Sequence, residues 1–192
     1  MDKILVVIPY AIRNKDNALR TQEIMCKRNP RTPFDVMLIE DINKDYYFTI
    51  LNEVWTKKSK EYDWIVYAQD DLFPGNSWLN IALEAARLTN KKFIAFNDGK
   101  WFGNNATVGM VHTSLRFKLY SDGSLFHKGY KRHGADPDLT ERAKQIGEYH
   151  YEPQALLIEV DYDKVLQDAS RLNQDDLSFY LKRKQEGFTW KI

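Results

Sequence analysis

The chain has 192 residues, enough for one well-filled domain and too few for two ordinary ones. With 28 Lys+Arg against 27 Asp+Glu the net charge is +1, which excludes a strongly basic nucleic-acid coat and an acidic tail but allows a local basic patch. Hydrophobic residues at 43% argue against disorder, and the single cysteine, Cys26, excludes an intramolecular disulfide framework and fits a reducing compartment.

The predicted elements alternate along the first half. Ile4–Ile8 is a continuous β-branched run, the mark of a strand buried on both faces. This run is far too short for a membrane span and has no basic leader, so a soluble, cytoplasmic chain without a signal peptide is expected. A helix is expected from about Asp16 to Lys27, stopped by Asn29-Pro30, with Cys26 in its pattern and read as buried rather than nucleophilic. Phe34–Ile39 reads as a second buried strand ending in Glu40-Asp41, and Tyr47–Glu61 as a helix with Ile50, Leu51, Val54 and Trp55 on one face. Trp64–Ala68 is a third strand running into Gln69-Asp70-Asp71. Pro74-Gly75 turns the chain, and Asn76 or Ser77 can cap a helix through Arg87. Lys92–Phe96 is a fourth strand. Strand–helix units in a row predict an α/β fold with a mostly parallel sheet flanked by helices.

After Asn97 the pattern changes. The segment from Asp98 to Asn105 is a turn-rich loop carrying Trp101 and Phe102, and Val108–Tyr120 reads as further strands. A helix from Pro137 to about Ile146, strand-like stretches on either side of Pro153 and a helical tail over Tyr162–Gly187 complete the chain.

An open sheet of this kind places ligands at the carboxyl ends of its strands. That edge gathers Pro9-Tyr10, Asp41, Asp70-Asp71 and Asn97-Asp98. Adjacent carboxylates at the end of an apolar strand repel each other, and a hard divalent cation, Mg²⁺ or Mn²⁺, is the simplest compensation. A polar turn is the bland alternative. Asp41 can accept from a nucleobase N–H or a ribose hydroxyl, or be a solvated strand-end acid. Asp136, just before Pro137, reads as a helix N-cap or as a general base, and the two roles can coexist. Between His112 and His133 stand Arg116, Lys118, Lys128, Lys131 and Arg132 against the single acid Asp122, interleaved with aromatics. That stretch can attract an anionic acceptor or be a solvated face with its rings turned inward. No glycine-rich phosphate loop and no serine nucleophile elbow is present.

With these residues assembled, the chain resembles a small GT-A glycosyltransferase of the family 2 type from about Lys3 to Pro153. Ile4–Tyr10 resembles the first strand and nucleotide-facing loop, and Phe34–Asp41 the second strand, whose terminal Asp contacts the base. Tyr67–Gly75 matches the region of the metal-holding DxD motif, and Gly134-Ala-Asp136-Pro-Asp138-Leu139 the late acidic motif with the general base. The resemblance implies a GT-A, Rossmann-like single domain with a nucleotide-sugar half (1–97), an acceptor half (98–160) and a helical tail (161–192). It implies Asp136 as catalytic base and Asp70 and Asp71 as metal ligands. Pro9, Tyr10, Arg13, Asp41, Asp70, Asn97 and Asp98 would face the nucleotide-diphosphate sugar. Trp101, Lys128, Lys131, Arg132 and His133 would face the acceptor. The activity implied is metal-dependent, inverting sugar transfer to a hydroxyl, with DNA carrying hydroxymethylated bases, as in phage-type enzymes, as one acceptor the basic stretch admits.

The sequence departs from the pattern at three places. Ala68 stands where the first acid of the DxD is usual and Ala135 where a Glu is usual. The His often found after the late strand is absent, leaving Glu159 or Asp161 as substitutes. Those departures keep a non-catalytic nucleotide- or sugar-binding module open as the rival, beside a glycan-directed transferase and a nucleotidyltransferase.

Overall fold

The computed structural model describes residues 2–160 and 174–188. The early β-branched run forms β1 (Ile4–Tyr10), followed by a short 3-10 turn (Ile12–Asn14), α1 (Lys15–Lys27), β2 (Asp35–Glu40), α2 (Tyr47–Lys58) and β3 (Trp64–Tyr67). Then come β4 (Leu72–Pro74), α3 (Trp78–Thr89), β5 (Phe93–Asn97), β6 (Gly109–His112), α4 (Arg116–Leu119), α5 (Ala135–Gln145), β7 (Tyr149–Glu159) and α6 (Gln174–Gln185). One seven-stranded sheet has the order β2-β1-β3-β6-β5-β7-β4.

The expected mostly parallel sheet is present, with two reversals. β1 pairs in parallel with β2 and β3, and β5 in parallel with β7. β6 runs antiparallel between β3 and β5, and β4 runs antiparallel to β7 on the far edge. The chain leaving β5 thus loops over the carboxyl edge of the sheet and returns through the gap beside β3. Period-two alternation sends Leu5, Val7, Ile65 and Tyr67 to one face, against α2 and α5. Ile4, Val6, Ile8 and Val66 go to the other face, against α1 and α3. Each large apolar side chain buried in this way contributes roughly 1.5–3 kcal/mol relative to exposure.

Several sequence expectations are corrected here. β2 ends the sheet and has a neighbour on one side only, so its residues are half-buried rather than buried on both faces. Leu72–Pro74 is a strand, where a plain turn was expected, because it finds β7 as a partner. The stretch after His112 is a 3-10 turn and α4, not a strand. Pro153 does not divide two strands: β7 is continuous and absorbs it in a bulge opposite Phe96 and Asn97. Ser77 precedes α3 with φ +57 and no side-chain cap bond. Cys26 is exposed, because the helical phase of α1 turns Thr21 and Met25 inward instead. Of the expected tail, Gln174–Gln185 is helical and residues 161–173 lie outside the described residues. Among the described residues no helix is long and apolar enough to cross a membrane.

Candidate active site

The carboxyl ends of β1, β2, β3, β5 and β7 converge as the parallel directions require, and the site is built there. A cavity of about 190 Å³ is lined by Pro9, Tyr10, Ala11, Asp41, Tyr47, Ile50, Gln69 and Asp70. Arg13, on the exposed 3-10 turn, is not among its walls. Asp41 caps the turn into α2, its carboxylate accepting from the Asp45 and Tyr46 amides at 2.7 and 3.3 Å. A carboxylate has about four acceptor positions, so capacity toward a ligand remains.

The acidic turn is fixed from both sides. The buried Thr21 hydroxyl on α1 donates to the Asp70 carbonyl at 2.8 Å, and the Val160 amide donates to the Asp71 carbonyl at 2.8 Å. Ala68 is fully buried in the core, which explains why no acid occupies that position and why the carboxylates begin at Asp70. Glu159, at the end of β7, lies beside the turn: its amide bonds the Asp98 carbonyl and its carboxylate pairs with Lys100 at 3.0 Å. Asp161, the other expected substitute ligand, lies outside the described residues.

Asn97 and Asp98 use their side chains within the fold. Asn97 donates to the Pro153 carbonyl, stapling the bulge, and accepts from the Gly99 amide. Asp98 is 2% exposed and accepts from the Lys100 and Trp101 amides and the Thr107 hydroxyl. That carboxylate therefore organises the loop that presents Trp101 and Phe102, both exposed, the latter at φ +47.

Asp136 is not the N-cap that its place before Pro137 suggests. Gly134, at φ +87, holds the N-cap position of α5, and Asp136 falls in its first turn. Gly134 takes the left-handed conformation without steric cost, which moves the helix start ahead of the proline. The half-buried Asp136 carboxylate is held by the Asn105 side-chain amide at 2.7 Å. Burial pushes its carboxyl up to about 6; the Asn105 hydrogen bond opposes the rise, and Asp98 and Glu159 add to it. Ala135 beside it is fully buried, so the usual Glu has no room in this chain.

Sequence reading missed Tyr47. Its hydroxyl is buried, has no hydrogen-bond partner among the described residues, and feels the charges of Asp136, Asp71, Asp70 and Glu159. These effects, burial foremost, hold its pKa well above the ordinary tyrosine value. Its only sequence signal was a tyrosine beginning a helix at the mouth of the expected site.

The basic stretch is partly consumed. Lys128 pairs with Asp122 at 2.9 Å, and Tyr120, Phe126 and Tyr130 turn into the core while Phe117 stays exposed. The backbone amides of Lys131, Arg132 and His133 all donate to Asp176 of α6. The Arg132 guanidinium lies 4.6 Å from the Tyr46 ring, beside the cavity, and Lys131, Arg132 and His133 are exposed.

No family model matches the sequence, and no curated protein does. Solved structures do resemble it. Drosophila beta-1,4-galactosyltransferase 7, in complex with manganese, UDP-Gal and xylobiose, aligns over 93% of this chain and 79% of its own, with TM-score 0.67 and 14% identity. S. aureus TarS in complex with UDP-GlcNAc aligns over 96% of this chain at TM-score 0.67 and 12% identity. This chain spans 66% of that TarS chain. Glucosyl-3-phosphoglycerate synthase from Mycobacterium tuberculosis, with Mn²⁺, UDP and glucosyl-3-phosphoglycerate, aligns over 95% and 80% at TM-score 0.64 and 11% identity. The likeness shows the fold: a mixed α/β GT-A sheet, as the sequence resemblance implied.

Proposed function

We propose that the chain is a glycosyltransferase that moves a sugar from a nucleotide-diphosphate sugar to an acceptor hydroxyl with the help of a divalent cation. The observation that carries the proposal is Asp136. It is a half-buried carboxylate with a raised pKa, clamped by Asn105, in a site it shares electrostatically with the Asp70–Asp71 turn through Tyr47. A carboxylate tuned toward neutral pH is suited to receive a proton from an attacking hydroxyl.

The residues present fit a hard cation bound together with substrate. Among the described residues no three His, Cys, Asp or Glu side chains form a closed metal cage. Mg²⁺-type sites instead use one or two carboxylates and complete their shell with phosphate oxygens and water. Asp70 and Asp71 supply that partial set, and Glu159 stands beside it. When bound, the cation offsets charge developing on the departing diphosphate. Pro9, Tyr10 and Asp41 line the cavity that would take the donor, while Asn97 and Asp98 shape the scaffold around it. The acceptor oxygen bonds to the anomeric carbon as the bond to the diphosphate oxygen breaks, and its proton passes to Asp136. A base on the face opposite the leaving group inverts the anomeric centre. The manganese and UDP-sugar complexes of the similar folds support this reading.

Calorimetric titration of UDP-glucose, UDP-galactose and UDP-GlcNAc, with and without Mn²⁺, tests the donor half. Wild type is expected to bind one donor in a metal-dependent way, and Asp70→Ala to weaken that binding at least tenfold while remaining folded. Absence of any donor binding in wild type would remove the reading and leave the non-catalytic module in front. Turnover separates the enzyme from that module.

The acceptor face is the Trp101–Phe102 loop together with Lys131, Arg132 and His133, with flat rings to stack on a sugar or base and cations to meet an anion. Hydroxymethylated DNA, with Lys131 and Arg132 as its phosphate contacts, is expected to bind with a log–log salt slope of about −2. A flat response would replace it with a neutral glycan acceptor.

A further inference from the structure

Two walls of the donor cavity carry buried polar atoms with no hydrogen-bond partner among the described residues: the Tyr47 hydroxyl and Gln69 Oε1. An unpaired buried hydroxyl is costly, and a ligand that brings the missing acceptor is the simplest account of one on a cavity wall. The backbone around Tyr47 is firmly held. Tyr46 sits at φ 68 and ψ 157, its amide accepted by Asp41 and its ring covered by Arg132. The Tyr47 ring packs edge-on to Phe48 at 5.4 Å. Among the charges acting on the hydroxyl, Asp136 is felt most strongly, ahead of Asp71 and Asp70. Tyr47, Gln69 and Asp70 line one cavity, so a donor held at the acid turn meets both unpaired atoms. Burial foremost, and the surrounding acids after it, keep this hydroxyl protonated, so it is a hydrogen-bond donor.

We infer that Tyr47 is a donor-positioning residue whose O–H donates to an oxygen of the transferred sugar, beside the Asp70–Asp71 turn, with Gln69 Oε1 accepting from a hydroxyl of the same ligand. The inference rests on the glycosyltransferase reading above. A sugar suits the pair because each of its hydroxyls both donates and accepts.

Tyr47→Phe keeps the ring and removes only the hydroxyl. With Mn²⁺ present, its affinity for UDP is expected to equal that of wild type. Its affinity for the UDP-sugar that wild type binds is expected to fall about tenfold, with a lower kcat. Its melting temperature should be unchanged or higher, because an unpaired buried hydroxyl has gone. Equal weakening toward UDP and UDP-sugar would put the hydrogen bond on the diphosphate and overturn the sugar assignment. Unchanged affinity and kcat would overturn the role altogether, as would a lowered melting temperature that accounts for the loss. A wild type that binds none of the UDP-sugars overturns the glycosyltransferase reading itself, and the inference with it.

Discussion

Asp136→Asn is expected to lower sugar transfer by about 10²–10⁴-fold, the range general-base catalysis supplies, while the protein stays folded. The substitution is nearly isosteric and keeps an oxygen to accept from Asn105 Nδ2. It also introduces an amide donor, for which the unpaired, buried Asn105 Oδ1 is a ready acceptor. Stability should not suffer at neutral pH, and the sign follows from linkage. The Asp136 carboxyl rises from 3.8 to about 6 on folding, so between those values the folded state holds more protons and stability falls as pH rises through the window. A neutral Asn does not carry that penalty at pH 7. Donor binding at the Asp70–Asp71 side should persist, which separates loss of the base from loss of the site. Wild-type activity in Asp136→Asn would end the assignment.

The same tuning sets the pH dependence. A carboxylate base works only when deprotonated, so with Asp136 in the proposed role kcat/KM for the wild type should climb with pH and reach half its plateau near pH 6. Asn105→Ala removes a hydrogen bond that favours the charged form. The limb should then move to higher pH, whereas a purely structural role for Asn105 would lower the rate without moving it.

The fold was legible where physics is local and missed where it is not. β-Branched runs gave away β1 and β3, because strands buried on both faces need continuous apolar sequence. β4 was invisible in that sense, being three residues long and created by a partner far along the chain, whereas β6 falls at the start of the Val108–Tyr120 stretch expected to form strands. The acid turn was visible because two carboxylates at a strand end are conspicuous. Asp136 stood out beside Pro137, but its reading as a cap fails because Gly134 takes that position. Tyr47 entered the sequence reading only as the first residue of a helix. Periodicity registers its ring and says nothing of its hydroxyl. Arg183 falls unmarked within the expected helical tail, since nothing local announces a partner 45 residues away.

That pairing carries the second large effect: Arg183→Leu is expected to destabilise the protein by about 3–5 kcal/mol in chemical denaturation at neutral pH. Arg183 and Asp138 are 5% and 0% exposed at the side chain and meet through Nε–Oδ2 at 2.8 Å and Nη2–Oδ1 at 3.2 Å. Tyr120 and Tyr130 donate to the two carboxylate oxygens at 3.0 Å each, and Arg183 also reaches the Phe188 carbonyl. Every group in this buried set has a partner, so removing the guanidinium strands a carboxylate in the core. Replacing both ends, Asp138→Leu with Arg183→Leu, should recover much of the loss, because the desolvation cost then leaves with the charges. If the single and double variants are equally destabilised, the pair is not coupled and the argument fails. The consequence for the site is positional. Asp138 lies on the first turns of α5, two residues beyond Asp136, and α6 is the element that grips it from outside, with Asp176 clasping the amides of Lys131–His133 on the way. Loosening α6 should therefore lower kcat through misplacement of Asp136 while leaving nucleotide affinity, which depends on the opposite wall of the cleft, close to that of wild type.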